Sequence, residues 1–367
     1  MTMIICADAV AYTGYVSGKV SYYDKRFNLS YATSDWVGAR HMKVYVVEKN
    51  GGVLGKGATD GSGSFSVAWS SPKSAPVAHV EFRYESSYAD ADGKPRFKLV
   101  PPEGGKWVSS SKNVTLPKNE TKKFGSLLMG TKSNPHKLGN MFATATDVWE
   151  NAANTSNNLT EQFGAVKIYW PVNSASTGRT NSRTEVQMPD SNFAYNASTL
   201  AHELGHVIHL IAWETDTWYY TCKGGHSWDS SETETCAFME GWANFVAAVT
   251  YYGPAAAGPQ AYGNDVEGGT CSGADELSES NVSRYFWDLY DDHGTDTANQ
   301  PFYWFVDKMN FFAKGTGSRQ DQESKSKPET GSNAWDFYWN AKQTFGDVEK
   351  LDNANLIHSN CLDEATW

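Results

Sequence analysis

The stretch 199-TLAHELGHVIHLIAWE-214 decides how the second half of the chain is read. It sets His202, Glu203 and His206 in the order H-E-x-x-H, with a further histidine, His209, three residues on. Its apolar residues recur at helical spacing, and Asn196 or Ser198 stands where an N-cap belongs, so a long helix is expected over 196–213. Helical positions four apart share a face, about 6 Å apart along the axis. His202 and His206 can therefore offer two imidazoles to one tetrahedral zinc. Glu203, beside the first, is placed to act as general base on a water at the metal. A third protein ligand has to come from elsewhere.

His209 returns to nearly the angular position of His202 but lies a further turn along the axis. A straight helix cannot bring three such imidazoles within about 2 Å of one ion. His209 is therefore read as a core or supporting histidine. Glu214, His226, Glu232, Glu234 and Glu240 remain. Glu240 is preferred, because it opens a fresh helical stretch, 240-EGWANFVAAV-249, in which Gly241 and Ala243 allow close packing on the first helix. Glu232 and Glu234 lie in a polar segment where solvated charge is the default. His226 sits on an expected loop that could flank a cleft.

His202–His206 followed by 239-MEGWANF-245 resembles the gluzincin group of zinc metallopeptidases. More narrowly, the pattern is similar to exported bacterial zincins that pair H-E-L-G-H with E-G-W-A and a later W-D-L-Y-D, here residues 287–291. The likeness covers roughly residues 140–295. It implies Zn2+ held by His202, His206 and Glu240, with Glu203 catalytic and a protein or peptide as substrate. Where the group carries an aspartate bonded to a ligand histidine, this chain has Asn244, which accepts through its amide oxygen but has no charge. The separation of His206 from Glu240 exceeds that of thermolysin-like enzymes, and the segment 215–236 that fills it is expected to shape the cleft.

The expected reaction is peptide-bond hydrolysis, with Glu203 passing a proton to the leaving amine. The strand 183-RTEVQMPD-190 is expected to run along the cleft and to bind substrate backbone. Tyr285 and His293 are candidates for the donor to the tetrahedral oxyanion, with Tyr251 and His226 as others, and structural packing is the competing reading for each. Asp288, Asp291 and Asp292 read as a solvated acidic turn; Ca2+ binding or fixing of the helix end are the other readings. Two alternatives in function stand beside the endopeptidase. One is a catalytically weak zincin that binds glycan or protein, and the other is a zinc hydrolase of a non-peptide bond.

The first part of the chain has a different texture. The stretches 15-YVSGKVSYY-23, 41-HMKVYVVEK-49, 63-GSFSVAWS-70 and 79-HVEFRYES-86 alternate at period two and are separated by turn signals. They predict an all-β antiparallel sandwich. The run through 59-TDGSGSF-65 resembles carboxypeptidase regulatory-like, transthyretin-like domains, which implies an accessory role. Asp60 in that turn is read as a turn former. The expected organisation is multidomain. Residues 1–11 are a leader or expression remnant, and residues 12–125 are the β-sandwich and a linker rich in Pro, Gly, Ser and Lys, in which 112-KNVTLP-117 could add a last strand. Residues 126–367 form an α+β, mostly helical zincin-like domain. Further helices are expected over 138–158, 234–252, 278–292, 301–314 and 332–345, and strands over 164–172 and 182–190.

A net charge of −11 argues against nucleic acid or an anionic membrane as partner, and no apolar run is long enough to span a bilayer. Five cysteines, Cys6, Cys222, Cys236, Cys271 and Cys361, form no C-x-x-C pair, so a zinc ribbon is not expected. Cys222 with Cys236 closes the shortest loop and is the first choice of disulfide. With low lysine content and seven N-x-S/T sequons, this suggests a secreted or cell-surface protein.

Overall fold

The computed structural model describes residues 11–24, 36–89, 92–129, 134–153, 165–190, 196–212, 222, 226–267, 278–291, 300–306 and 309. Cys6, Cys271, Cys361, Glu214, Asp292, His293 and the expected helix over 332–345 lie outside these residues. The chain forms two compact units, Met1–Thr146 and Asp147–Trp367.

The first unit is built of strands because its apolar residues alternate. In β5 (Ser64–Ser71) the side chains of Phe65, Val67, Trp69 and Ser71 are buried while those between them are exposed. β1 (Tyr12–Tyr23) pairs antiparallel with β5 and with β2 (Trp36–Gly38). In a second sheet, β3 (Met42–Glu48) lies between β4 (Val53–Ala58) and β6 (Val77–Ser86), antiparallel to both. β7 (Phe97–Val100), β8 (Val108–Ser110) and β9 (Val114–Thr115) also pair with β6. Phe65 of β5 meets Phe82 of β6 edge-on at 5.5 Å, so residues of both sheets share a core.

Two expectations are corrected here. β10 (Thr121–Leu128) runs parallel to β1, so the unit is not purely antiparallel. The stretch expected as a linker holds β9 within the possible last strand at 112–117 and also supplies β8 and β10; its backbone groups are taken up in ladders, and its Gly and Pro residues mark turns between them. Asp60 does form a turn, its Oδ1 accepting from the amides of Ser62 and Ser64 at 2.8 and 2.9 Å.

α1 (Asn134–Ala153) leads into the second unit. There β11 (Val166–Tyr169) pairs parallel with β13 (Glu185–Gln187), which turns back antiparallel to β12 (Arg179–Ser182). The single strand expected over 182–190 is thus the end of a hairpin, because Ser182–Thr184 make a turn in which the Thr184 amide donates to Ser182 Oγ at 3.2 Å. Among the described residues, three helices follow: α2 (Ala197–Ala212), α3 (Glu234–Val249) and α4 (Glu279–Tyr290). Residues 302–306 are also helical. Asn196 caps α2, its Oδ1 accepting from the amides of Ser198 and Thr199 at 2.9 and 3.4 Å. Thr233 caps α3, accepting from the Cys236 amide at 3.3 Å.

The backbones of α2 and α3 come close at a glycine. A Cβ on Gly205 would lie 2.9 Å from Ala243 Cα, and Trp242 Nε1 donates to the Gly205 carbonyl at 3.1 Å. Ala243 therefore packs on α2 as expected, whereas Gly241 faces Val282 of α4 instead. Behind this contact Trp242, Phe245, Phe286 and Phe305 pack ring to ring, with centroids 5.0–6.1 Å apart along the cluster. The disulfide Cys222–Cys236 is present, and it ties the segment before α3 to the first turn of that helix. Among the described residues no helix is long and apolar enough to cross a membrane.

Candidate metal centre

α2 and α3 bring three donor atoms together. His202 Nε2 lies 3.1 Å from His206 Nε2 and 3.0 Å from Glu240 Oε2, and the last two are 3.4 Å apart. Four ligands at about 2.0–2.1 Å in a tetrahedron stand roughly 3.3 Å from one another. The triangle therefore has the size of one face of a zinc tetrahedron. All three residues are buried. Burial alone would raise the pKa of Glu240, but the facing imidazoles of His206 and His202 hold it well below the usual carboxylate range. The donor set and its spacing fit zinc.

The triangle opens on a cleft of about 510 Å³, which Glu203 also lines. The segment before β12 and β12 itself grip that glutamate. Thr180 Oγ1 lies 2.8 Å from Glu203 Oε2 and 2.7 Å from its carbonyl oxygen, one hydroxyl shared between two acceptors. Gly178 is packed so closely that an added Cβ would sit 2.9 Å from Glu203 Cγ and Oε1. β12 rather than 183–190 thus borders the cleft, through Arg179 and Thr180.

His202 is oriented from behind. Its Nδ1 lies 2.9 Å from Asn244 Oδ1, and Asn244 Nδ2 donates to Glu279 Oε2 at 3.4 Å. The other oxygen of Glu279 meets His226 Nδ1 at 2.6 Å. That bond, opposed by partial burial, moves the pKa of His226 up to about 9, so the ring is an imidazolium at neutral pH. The loop carrying His226 is held by the Ser280 amide, which donates to the Trp228 carbonyl at 2.9 Å, and by the disulfide. Cys222 Sγ lies 3.9 Å from Glu240 Oε1, but a disulfide sulfur has no thiolate to offer a metal.

Tyr262 enters from a direction the sequence did not reveal. It is the first residue of the two-residue turn between β14 (Gln260–Ala261) and β15 (Asn264–Asp265), with φ of 54° at Tyr262 and 81° at Gly263. A left-handed conformation is costly for a large side chain and is retained where the surroundings enforce it. Here the ring meets His202 edge-on at 5.4 Å. The residue as a whole is 38% exposed, but burial of its phenol end, then the charges of Glu203 and Glu240, push it well above the ordinary pKa, so it is a neutral donor.

Other expected residues stand elsewhere. Tyr285, a candidate oxyanion donor, is fully buried against Phe286 and does not line the cleft. On α4 it falls on the face that packs into the core, while Glu279 at the start of the same helix faces the cleft. Tyr251 does not line it either. His209 is buried beside Phe238, and burial with the nearby His206 lowers its pKa well below the usual value. Asp288 and Asp291 are buried rather than solvated. Asp288 acts on the charge of Arg284 one turn earlier, and the Asp291 amide closes the helix on the Trp287 carbonyl at 2.8 Å. Among the described residues, neither belongs to a grouping that could hold a metal. Glu232 accepts from Ser230 Oγ at 2.6 Å, away from the cleft.

No curated protein matches the chain. Among solved structures, the 9R-lipoxygenase of Cyanothece PCC8801 matches at 16% identity over 58% of this chain and 26% of that chain, with a TM-score of 0.22. The chain thus spans about a quarter of the lipoxygenase's length, and a superposition this poor carries no argument about fold or activity. Residues 143–343 match the family described as the Mycolysin C-terminal domain, a stretch that contains α2, α3 and α4 whole. That is more than half of the chain, which therefore belongs to this family and stands in the context of metallopeptidases.

Proposed function

We propose that this protein is a secreted zinc-dependent endopeptidase. The observation that carries the reading is the triangle of His202, His206 and Glu240 with Glu203 on the same cleft wall. These three residues would hold the zinc. When bound, zinc supplies a Lewis acid that polarises water and the scissile carbonyl. Glu203 takes the proton of the attacking water and delivers it to the leaving amine; Thr180 and Gly178 keep its carboxylate in place for both transfers. A peptide lies along β12 as an added strand, with its backbone paired to the edge at Arg179–Thr180. His226 and Tyr262 replace Tyr285 as donors to the developing oxyanion, since both line the cleft and both carry a proton at neutral pH. The disulfide and the metallopeptidase family support an extracellular setting. The first unit is read as an accessory sandwich with no part in the chemistry.

The test is Glu203→Gln with denatured casein as substrate. Removal of the general base is expected to lower hydrolysis by about 10²–10⁴-fold, while zinc content by elemental analysis stays at that of the wild type. Unchanged cleavage would remove Glu203 from the mechanism. Wild-type protein that binds zinc yet leaves casein intact would overturn the endopeptidase reading in favour of a binding module or another hydrolase.

A further inference from the structure

Asn244 stands where the resembling enzymes carry an aspartate, and a neutral amide by itself does not dictate which way round it sits. An Asn that offers its NH2 to a ligand histidine would leave the proton on the metal-facing nitrogen. What decides the matter lies one step further out. Glu279 is buried, at the first position of α4 behind the N-cap Ser278. There the positive end of the helix dipole favours negative charge. A carboxylate has only acceptors to offer. Its Oε2 therefore requires the NH2 of Asn244, which turns the amide oxygen toward His202 Nδ1. That oxygen accepts a proton held on Nδ1, and Nε2 is left with its lone pair aimed at the triangle. The same carboxylate, through Oε1, accepts from His226 Nδ1 at 2.6 Å, so the Nε2–H of that ring is available to the cleft.

We propose that Glu279 is the positioning residue of the site: through Asn244 it fixes the tautomer of the metal ligand His202, and directly it fixes the orientation of His226. The inference rests on the reading of His202 as a zinc ligand. The carboxylate charge that an aspartate at 244 would place beside the histidine is displaced by one residue, and in that place it serves two imidazoles instead of one. Hydrogen bonds in such a chain polarise one another, so the amide oxygen of Asn244 is a better acceptor for its contact with Glu279.

The experiment measures zinc affinity of the full chain by competition with a chromophoric chelator, which needs no substrate. Glu279→Gln is expected to weaken zinc binding by about 10–100-fold, the range found for partners of ligand histidines. Adding Asn244→Asp to that variant is expected to restore affinity, because the new carboxylate at position 244 accepts from His202 and the new amide at position 279 donates to that carboxylate. His226→Gln is expected to leave zinc affinity unchanged while lowering kcat on casein more than it changes KM. Asn244→Ser, which cuts the chain but keeps the Glu279–His226 pair, is expected to lose zinc affinity to a similar degree and serves if Glu279→Gln does not fold. Wild-type zinc affinity in Glu279→Gln or in Asn244→Ser overturns the proposal, as does a folded double variant that binds no better than Glu279→Gln. A wild-type chain that binds zinc but does not cleave casein overturns the endopeptidase reading alone. A wild-type chain that binds no zinc overturns both.

Discussion

Glu203 and His226 show how a side chain gains a chemical role from neighbours far away in sequence. The glutamate is held by a hydroxyl and by a missing Cβ on the strand hairpin. The histidine is held by a carboxylate at a helix start. For His226 the consequence is a pH dependence with a definite sign. Its pKa is about 9 in the folded protein against 6.5 for the free side chain. The folded state binds the proton more tightly, so the contribution to stability is fully present below about pH 6.5 and is lost as pH rises through about 9. Thermal midpoints of the wild type and His226→Gln, measured with chelator between about pH 6 and 10, are expected to differ most at the acid end and to converge at the alkaline end. A gap that widens with rising pH would refute the Glu279 pairing.

At the scale of elements, the motif and the helices around it were legible because their signals are local. The spacing of His202 and His206, the cap at Asn196 and the apolar run of α2 all lie within one helix, and Glu240 announces itself at the head of the apolar part of α3. The shortest cysteine loop pointed to the disulfide for the same reason. Thr180, Tyr262 and Glu279 were not legible, since each depends on where an unrelated strand, turn or helix start comes to rest. The Tyr-Gly pair at 262–263 was the one available signal, a hairpin turn with a costly residue in it. For Tyr285 packing is the reading that the structure favours, and the sequence left both open because an aromatic residue near an acidic segment looks alike whether it faces a cleft or a core. The contact of α2 with α3 carries its own test. Gly205→Ala gains about 1 kcal/mol of helix propensity. The new Cβ, however, meets Ala243 Cα at 2.9 Å and Val246 Cβ at 3.0 Å, and neither is the far end of a flexible side chain. Overpacking of this kind costs about 1–3 kcal/mol. It also pushes apart the two helices that hold His202, His206 and Glu240. The expected outcome is a lower denaturation midpoint in urea together with weaker zinc binding; a stabilised protein with unchanged zinc affinity would show that the helices can move without disturbing the triangle.

For the whole molecule, the place of the candidate site within the second unit determines how a bound metal would act on stability. All three donors of the triangle belong to the second unit, on α2 and α3, and the first unit has its own core around Val16, Val67, Val44 and Phe82. Zinc bound only by the folded second unit stabilises it by mass action, by about 2.7 kcal/mol when free zinc is 100 times its dissociation constant. For a unit of this size each kcal/mol moves the midpoint by roughly 2–4 °C, which gives a shift of about 5–10 °C. Calorimetry of the intact chain with zinc and then with chelator is therefore expected to move one transition by that amount and to leave a second, belonging to the strands of the first unit, where it was. Glu240→Ala is expected to abolish the shift while the second transition stays unchanged. A shift that survives Glu240→Ala would place the metal elsewhere. A single transition that moves as a whole would mean that the two cores unfold together.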